Sequence, residues 1–223
     1  MSELPAIWLS LELALITTAL LAILATPLAW WLAHTSHPLR PVIEAITALP
    51  LVMPPTVIGF YLLLLFSPSN PLGSAWLTVT DTTLAFSFHG LVIASMVYSL
   101  PFMVQPLTHA FSQMGKGPIE AATLLGAGPM DTFWNIVLPL ARGGYLTALV
   151  LTFAHTLGEF GIVLMVGGNI PGETRVISIA IYEQVETLNY DQAHFLSGLL
   201  LAFSFIVLIL VYTLNRRSPL RLS

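Results

Sequence analysis

The chain has 223 residues, of which 56% are hydrophobic and only 8% charged, with a formal net charge of −4 and a mean hydropathy of +0.86. An average soluble domain carries roughly 25% charged residues, so a water-soluble globule of this composition would aggregate, and one membrane domain is the economical reading. Cysteine is absent, which excludes disulfides, thiolate metal sites and cysteine nucleophiles, and seven scattered Lys and Arg residues make no nucleic-acid footprint.

The expected fold class is an all-α integral membrane protein of about five transmembrane helices. Crossing a bilayer takes roughly 20 apolar residues in a helix, because backbone polar groups find no water inside hydrocarbon. The first run, Leu13 to Ala33, predicts a span over 10–34. No Lys or Arg precedes Arg40, so the basic region of a secretory signal is missing and this helix is expected to be retained. The second run, Ala45 to Phe66, predicts a span over 44–66. Pro54 and Pro55 inside it free backbone carbonyls and kink the helix, which serves either packing or a hinge near a pore.

The third run, Leu84 to Leu107, predicts a span over 84–108. A fourth is expected over 140–166; it contains His155 and Glu159 and is broken by Gly158 and Gly161, so its middle reads as kinked or unwound. Val176 to Leu188 is too short and too charged to cross, but Ile177, Ile181, Val185 and Leu188 recur at helical spacing and predict an amphipathic helix at the interface. The last run, Phe195 to Leu214, predicts a span over 194–214.

With the N-terminus outside and the C-terminus inside, the segments Thr35 to Glu44, Thr108 to Arg142 and the tail after Leu214 face the cytoplasm. They hold six of the seven Lys and Arg residues, as positive charge retained inside requires. The outer segments then hold Arg175 together with Asp81, Glu173, Glu183, Glu186 and Asp191.

The long cytoplasmic segment contains Glu120-Ala121-Ala122, three residues to Gly126, nine residues to Ile136, and then Val137-Leu138-Pro139. Pro118 suits a first helical turn, Glu120 sits near the positive end of the helix dipole, and Ala121, Ala122 and Leu124 favour helix, while Gly126 and Gly128-Pro129 break it. The spacing resembles the EAA signature of ABC importer permeases, with every fixed position matched. That resemblance implies a cytoplasmic coupling helix over 118–131, docked in a cleft of an ATPase subunit, with Ala121 and Ala122 allowing close approach and Gly126 making the turn. The chain has no Walker A sequence: Lys116, the single lysine, lies in Gly115-Lys116-Gly117 without the required glycine spacing or a following Ser or Thr. ATP hydrolysis is therefore expected on a separate subunit.

Two further stretches narrow the family. Leu49-Pro50-Leu51-Val52-Met53-Pro54-Pro55-Thr56-Val57-Ile58-Gly59-Phe60-Tyr61 lies in the second run. Gly158-Glu159-Phe160-Gly161 and Gly167-Gly168-Asn169-Ile170-Pro171-Gly172-Glu173-Thr174 close the fourth. Both resemble the molybdate ABC transporter permease family over nearly the whole chain; sulfate and tungstate permeases are close relatives. Some relatives carry an additional N-terminal span that is not seen here, so five spans are expected rather than six. The resemblance implies a type I ABC importer permease fold in a bacterial inner membrane. It also implies a homodimeric pore, two copies of an ATP-binding subunit, and a periplasmic molybdate-binding protein, with no cofactor or metal in this chain.

No Lys or Arg lies within an apolar run, so a doubly charged oxyanion finds no fixed cation at the membrane centre, and a deep substrate site is not expected. Hydroxyls and backbone N–H groups can line a weakly binding path. Thr56, His89, Ser99 and Thr156 are candidate lining groups, and Pro54, Pro55, Thr56, Glu159 and Gly161 are candidate pore or gate residues. Glu159 and His155 sit four apart, and an ionisable residue inside a span is a functional hypothesis. A carboxylate would repel an oxyanion, so the preferred role for Glu159 is pairing with His155 or with polar groups of a partner subunit. Gly167-Gly168-Asn169 and Pro171-Gly172 read as an outer turn that either contacts the delivery protein or is turn chemistry alone.

Other classes fit less well. A membrane-embedded metal enzyme would need clustered ligands, yet of six histidines only His34 and His37 are close in sequence. No G-x-S-x-G elbow anchors a hydrolase. A secondary transporter would show an internal repeat and a polar midplane site, and neither is visible.

Overall fold

The computed structural model describes residues 3–216, and among them all regular structure is helical. Helix α1 (Leu4–His34) has 31 residues and is about 46 Å long, against a hydrocarbon thickness of about 30 Å. It starts earlier than the expected 10–34 because Pro5 occupies the first turn, where a missing N–H costs nothing. Trp8 near one end, and Trp30 and Trp31 near the other, are separated along the axis by about 33 Å, the spacing of two interfacial aromatic belts.

The run expected as one span over 44–66 is two helices. Helix α2 (Arg40–Ala48) continues through a 3₁₀ turn, Leu49–Leu51, and helix α3 (Pro55–Phe66) leaves it at 107°. The cause is local. Pro54 is extended (φ −57°, ψ 136°), as a residue before proline is forced to be, and Pro55 can open a helix but cannot donate into the preceding one.

Helix α4 (Pro71–Thr80) occupies what reads as an outer loop; the Asn70 side chain accepts the Leu72 N–H at 3.2 Å, and Asp81 ends the helix in the left-handed region. Helix α5 (Phe88–Met114) starts after the expected 84 because Ser87 Oγ accepts the Gly90 N–H and caps it. It then runs past the expected 108 to Gly115 (φ 67°).

Helix α6 (Gly117–Leu124) is followed by α7 (Pro129–Thr132), a π-helical turn Phe133–Val137, and α8 (Leu138–Leu157). The last three form one 29-residue helix, Pro129–Leu157. The fourth run therefore begins well before the expected 140 and stops at Leu157, with the remainder broken off as α9 (Gly161–Gly167). Helix α10 (Ile177–Glu186) precedes α11 (Tyr190–Arg216), near the expected 194–214. Arg217 and Arg221 of the basic tail lie outside the described residues. Among the described residues four helices are long and apolar enough to cross a membrane, five if the bent α2–α3 pair counts as one.

Helices α1, α5 and α8 pack on one another as the centre of the bundle. One core cluster joins Leu13, Phe66, Leu84, Leu91, Ile162 and Ile179. A second joins Leu21, Leu32, Met103, Leu107, Phe111 and Val137. Lipid supplies no hydrophobic drive between helices, so close packing of small residues carries the association. Ala14, Ala25 and Ala29 of α1 are fully buried, and a Cβ on Gly144 of α8 would stand 2.3 Å from the Ala110 Cβ of α5. Arg175 bonds to both Glu3 and Glu183 at 3.2 Å, clasping the start of α1 to α10.

Candidate functional site

Two groups of residues singled out by the sequence come together in space. The first is the α6–α8 loop. Helix α6 ends in a Schellman turn: the Gly126 N–H bonds to the Thr123 carbonyl at 3.0 Å and the Ala127 N–H reaches back to the Ala122 carbonyl at 3.0 Å. Gly126 sits at φ 85° with nothing within 4 Å of a would-be Cβ, so backbone conformation and not crowding calls for glycine there. Ala122 is buried and turned towards its own chain, whereas Glu120 and Ala121 are exposed. Only Ala121 of the alanine pair therefore faces outward. Beside it, Leu124 and Leu125 are 89% and 90% exposed, and Met130 and Trp134 are exposed too.

The remaining motif positions lie at the π turn. Leu138 donates its N–H to the Phe133 carbonyl, a wide i→i−5 bond. Pro139 has no N–H to give, and its ring would crowd the carbonyl four residues back in an ordinary α-helix. The wider turn carries the helix past both problems. Ile136 and Leu138 are half-buried, Pro139 is exposed, and Val137 between them is buried in the core. Behind the loop, Ile119, Thr123, Ala127 and Phe133 face Thr26, Pro27 and Trp30 of α1 across an apolar cleft of about 500 Å³.

The second group is made by two interrupted helices. The first break lies before Pro55, between α2 and α3, and the second at Gly158–Phe160, between α8 and α9. They meet: a Cβ on Gly161 would lie 2.8 Å from the Pro55 Cβ, and one on Gly59 would lie 2.7 Å from the Met165 Cβ. Pro54 and Thr56 are exposed at this junction, Pro55 and Gly161 half-exposed.

Glu159 belongs to the break by sequence, but its side chain is buried, and neither carboxylate oxygen has a hydrogen-bond partner among the described residues. The expected pairing with His155 is not formed. Helix α8 ends at Leu157, so Glu159 has left the face that carries His155. His155 Nδ1 instead meets Ser99 Oγ at 2.9 Å while its ring stacks on Phe102 with centroids 3.9 Å apart. Ser99 Oγ also bonds to Thr156 Oγ1 at 2.9 Å. The hydroxyls proposed as path-lining at Ser99 and Thr156 are thus internal ties between α5 and α8, both buried. Thr56 is exposed, and His89 is exposed with its ring 5.6 Å from that of Trp76. The Glu159 carbonyl accepts from Ser178 of α10 at 2.5 Å, which ties the break to that helix. Ser95 and Thr152, buried on the same α5–α8 seam, escaped the sequence reading because single hydroxyls in apolar runs carry no pattern.

A family model described as binding-protein-dependent transport system inner membrane component matches residues 25–217. The molybdenum transport system permease protein ModB of Azotobacter vinelandii is 53% identical over 214 residues, covering 96% of this chain and 95% of that protein. The protein of the same name from Escherichia coli is 35% identical over 184 residues, covering 81% and 80%. A probable sulfate transport system permease protein, cysT of Zygnema circumcarinatum, is 32% identical and covers 93% of this chain and 73% of that protein. Among solved structures, a bacterial ABC transporter involved in import of the acidic polysaccharide alginate aligns with a TM-score of 0.78 at 18% identity, covering 98% of this chain and 81% of that one. The inward-facing MetNI methionine ABC transporter aligns at 0.72 and 16% identity, covering 97% and 99%. At these identities the structural likeness speaks for the fold.

Proposed function

The chain belongs to the binding-protein-dependent transport system inner membrane component family, and from that premise we propose that it is the pathway through which an ATP-driven importer carries molybdate across the bacterial inner membrane. It is a multi-pass permease of the type I ABC importer fold and not itself an ATPase. The observation that carries the substrate is the 53% identity to a molybdenum permease along 96% of the chain. Sulfate permeases, at 32% identity, mark the second reading.

In this proposal ATP is hydrolysed on a separate subunit, two copies of which serve two copies of this chain. Each grips one α6. The outward face of α6, with Glu120, Ala121, Leu124 and Leu125, inserts into the ATPase. Gly126 sets the angle of the chain leaving it. Ile136, Leu138 and Pro139 anchor the loop to α8, so that motion of α6 is passed to a long, rigid helix. Exposed leucines at 89% and 90% support a buried interface here, because apolar groups this exposed on the aqueous face of a bundle call for a partner. The same reading puts α6 in the cytoplasm, the N-terminus in the periplasm and the C-terminus inside, following the distribution of Lys and Arg. A periplasmic molybdate-binding protein delivers the anion to the outer loops, and Pro54, Pro55, Thr56 and Gly161 lie beside its path. Glu159, buried away from it, is a packing residue of the break.

Uptake by proteoliposomes containing this chain, its ATPase and its binding protein tests the assignment. Molybdate is expected to enter only with ATP inside and binding protein outside, with tungstate competing and sulfate competing weakly. Preferential sulfate uptake would transfer the assignment to the sulfate class, and ATP-independent uptake would remove the importer reading altogether.

A further inference from the structure

The cleft between α1 and α6 is apolar on both walls. Its volume of about 500 Å³ is in the range of pockets that take a small ligand. Thr26, Pro27 and Trp30 of α1 form one wall, and Ile119, Thr123 and Phe133 of the α6–α8 loop form the other. The hydroxyls of Thr26 and Thr123 are already engaged. Thr26 Oγ1 donates to the Ala22 carbonyl at 2.6 Å and accepts from the Tyr145 hydroxyl at 3.1 Å, and Thr123 Oγ1 donates to the Ile119 carbonyl at 2.9 Å. A buried water needs about two to four polar partners, so water fills this space poorly and an apolar group fits it.

Position and charge narrow the occupant. Trp30 belongs to one aromatic end of α1, and Thr26 lies about 6 Å further towards the middle of that helix. The cleft therefore runs from headgroup level into hydrocarbon. On the opposite wall Lys116 caps α6, and Lys116, Ile119 and Thr123 follow one another at i, i+3 and i+7, which places them on one helix face. The face that gives the cleft its apolar wall thus ends in the single lysine of the chain. Lys116 is exposed and makes no ion pair among the described residues. Of the nearby carboxylates, Glu120 is exposed and outside the cleft lining, and Asp131 accepts from Asn135.

We propose that the cleft holds one acyl chain of an anionic phospholipid whose phosphate rests on Lys116. An apolar slot that opens at headgroup level beside a cation matches the two halves of such a lipid, and a basic side chain at the membrane surface attracts anionic headgroups. With the orientation proposed above, the lipid comes from the cytoplasmic leaflet. Its chain fills the space between α6 and α1, so the loop is braced on the bundle through lipid as well as through the π turn.

Lipid labelling in the full complex with its ATPase, held in nanodiscs, tests this site without reference to which anion is imported. The nanodiscs contain phosphatidylglycerol and phosphatidylcholine in equal amounts, with a photoactivatable diazirine in the acyl chain of one or the other. Phosphatidylglycerol is expected to label the segment from Ile119 to Phe133 several-fold more than phosphatidylcholine does. Lys116→Glu is expected to erase that preference. Ala127→Phe, which fills the slot from a lining position, is expected to abolish labelling of the segment by either lipid while labelling of the exposed apolar surface of α11 stays unchanged. Thr123→Phe is read in parallel, so that the slot is still filled if Ala127→Phe fails to assemble, and the comparison of the two lipids needs no variant. Equal labelling by both lipids would mean annular lipid only and overturns the site. So does labelling that survives the filling variants, and so does an unlabelled segment, which would give the cleft to a protein partner.

Discussion

Gly126 carries the sharpest constraint in the α6–α8 loop. The Schellman turn places it in left-handed backbone (φ 85°), a region that costs an L-residue about 1–2 kcal/mol. Gly126→Ala is therefore expected to loosen the loop by about that amount, and to lower transport-coupled ATP hydrolysis while leaving expression intact, measured as ATPase stimulation by loaded binding protein. Gly117→Ala meets open space without positive φ and should leave the same rate unchanged. Ser99 is a different kind of constraint, because one hydroxyl serves two partners on α8, His155 and Thr156. Its removal strands both inside the membrane, and such interhelical bonds are worth about 0.6–2 kcal/mol each. Ser99→Ala should lower the thermal midpoint of the detergent-purified complex, and Ser99→Thr should restore part of it. Glu159→Gln keeps size and polarity where the carboxylate forms no hydrogen bond among the described residues. Unchanged transport and assembly are expected, and a loss of either would show that the charge itself is used.

The helix Pro129–Leu157 is continuous only because a π turn absorbs Pro139. Pro139→Ala restores a donor that can bond to the Asn135 carbonyl, so the wide turn is free to tighten into regular helix. Tightening removes the extra residue of the turn and rotates the α7 end, with Trp134, against α8. The expected outcome is a folded complex with impaired coupling, read as ATP hydrolysis that no longer responds to binding protein. At the other junction α3 and α9 touch through glycines, and over-filling such a contact costs about 1–3 kcal/mol. Gly161→Val and Gly59→Val should each weaken the α3–α9 pair, seen as protease sensitivity near residues 52–55 that the wild-type complex lacks.

For the molecule as a whole, the proposed orientation is open to tagging, since any introduced thiol is the only one. With the chain expressed without its ATPase, Ala121→Cys should react with a membrane-impermeant maleimide only in inverted vesicles, and Glu173→Cys only from outside intact spheroplasts; the reverse pattern would invert the topology and remove the coupling role of α6. The clasp in which Arg175 is shared between Glu3 and Glu183 holds the start of α1 over α10 and fixes that rim of the bundle.

Much of this architecture was legible in composition and spacing. Lipid demands long apolar runs, and the runs announced the helices; the spacing from Glu120 to Pro139 announced a short helix, a sharp stop and a restart, because a helix, a glycine stop and a proline-bearing restart are each dictated by neighbours along the chain. Other features depend on distant segments and had no local signature. Nothing near Pro54 says that the chain turns through 107° instead of kinking. Nothing near Gly161 says that it rests on Pro55, and nothing near His155 says that its partner is Ser99 and not Glu159. Backbone propensity acts over a turn or two, so it marks where a helix must stop; where the freed chain then goes, and which buried polar group satisfies which, is decided by packing between helices that lie far apart in sequence.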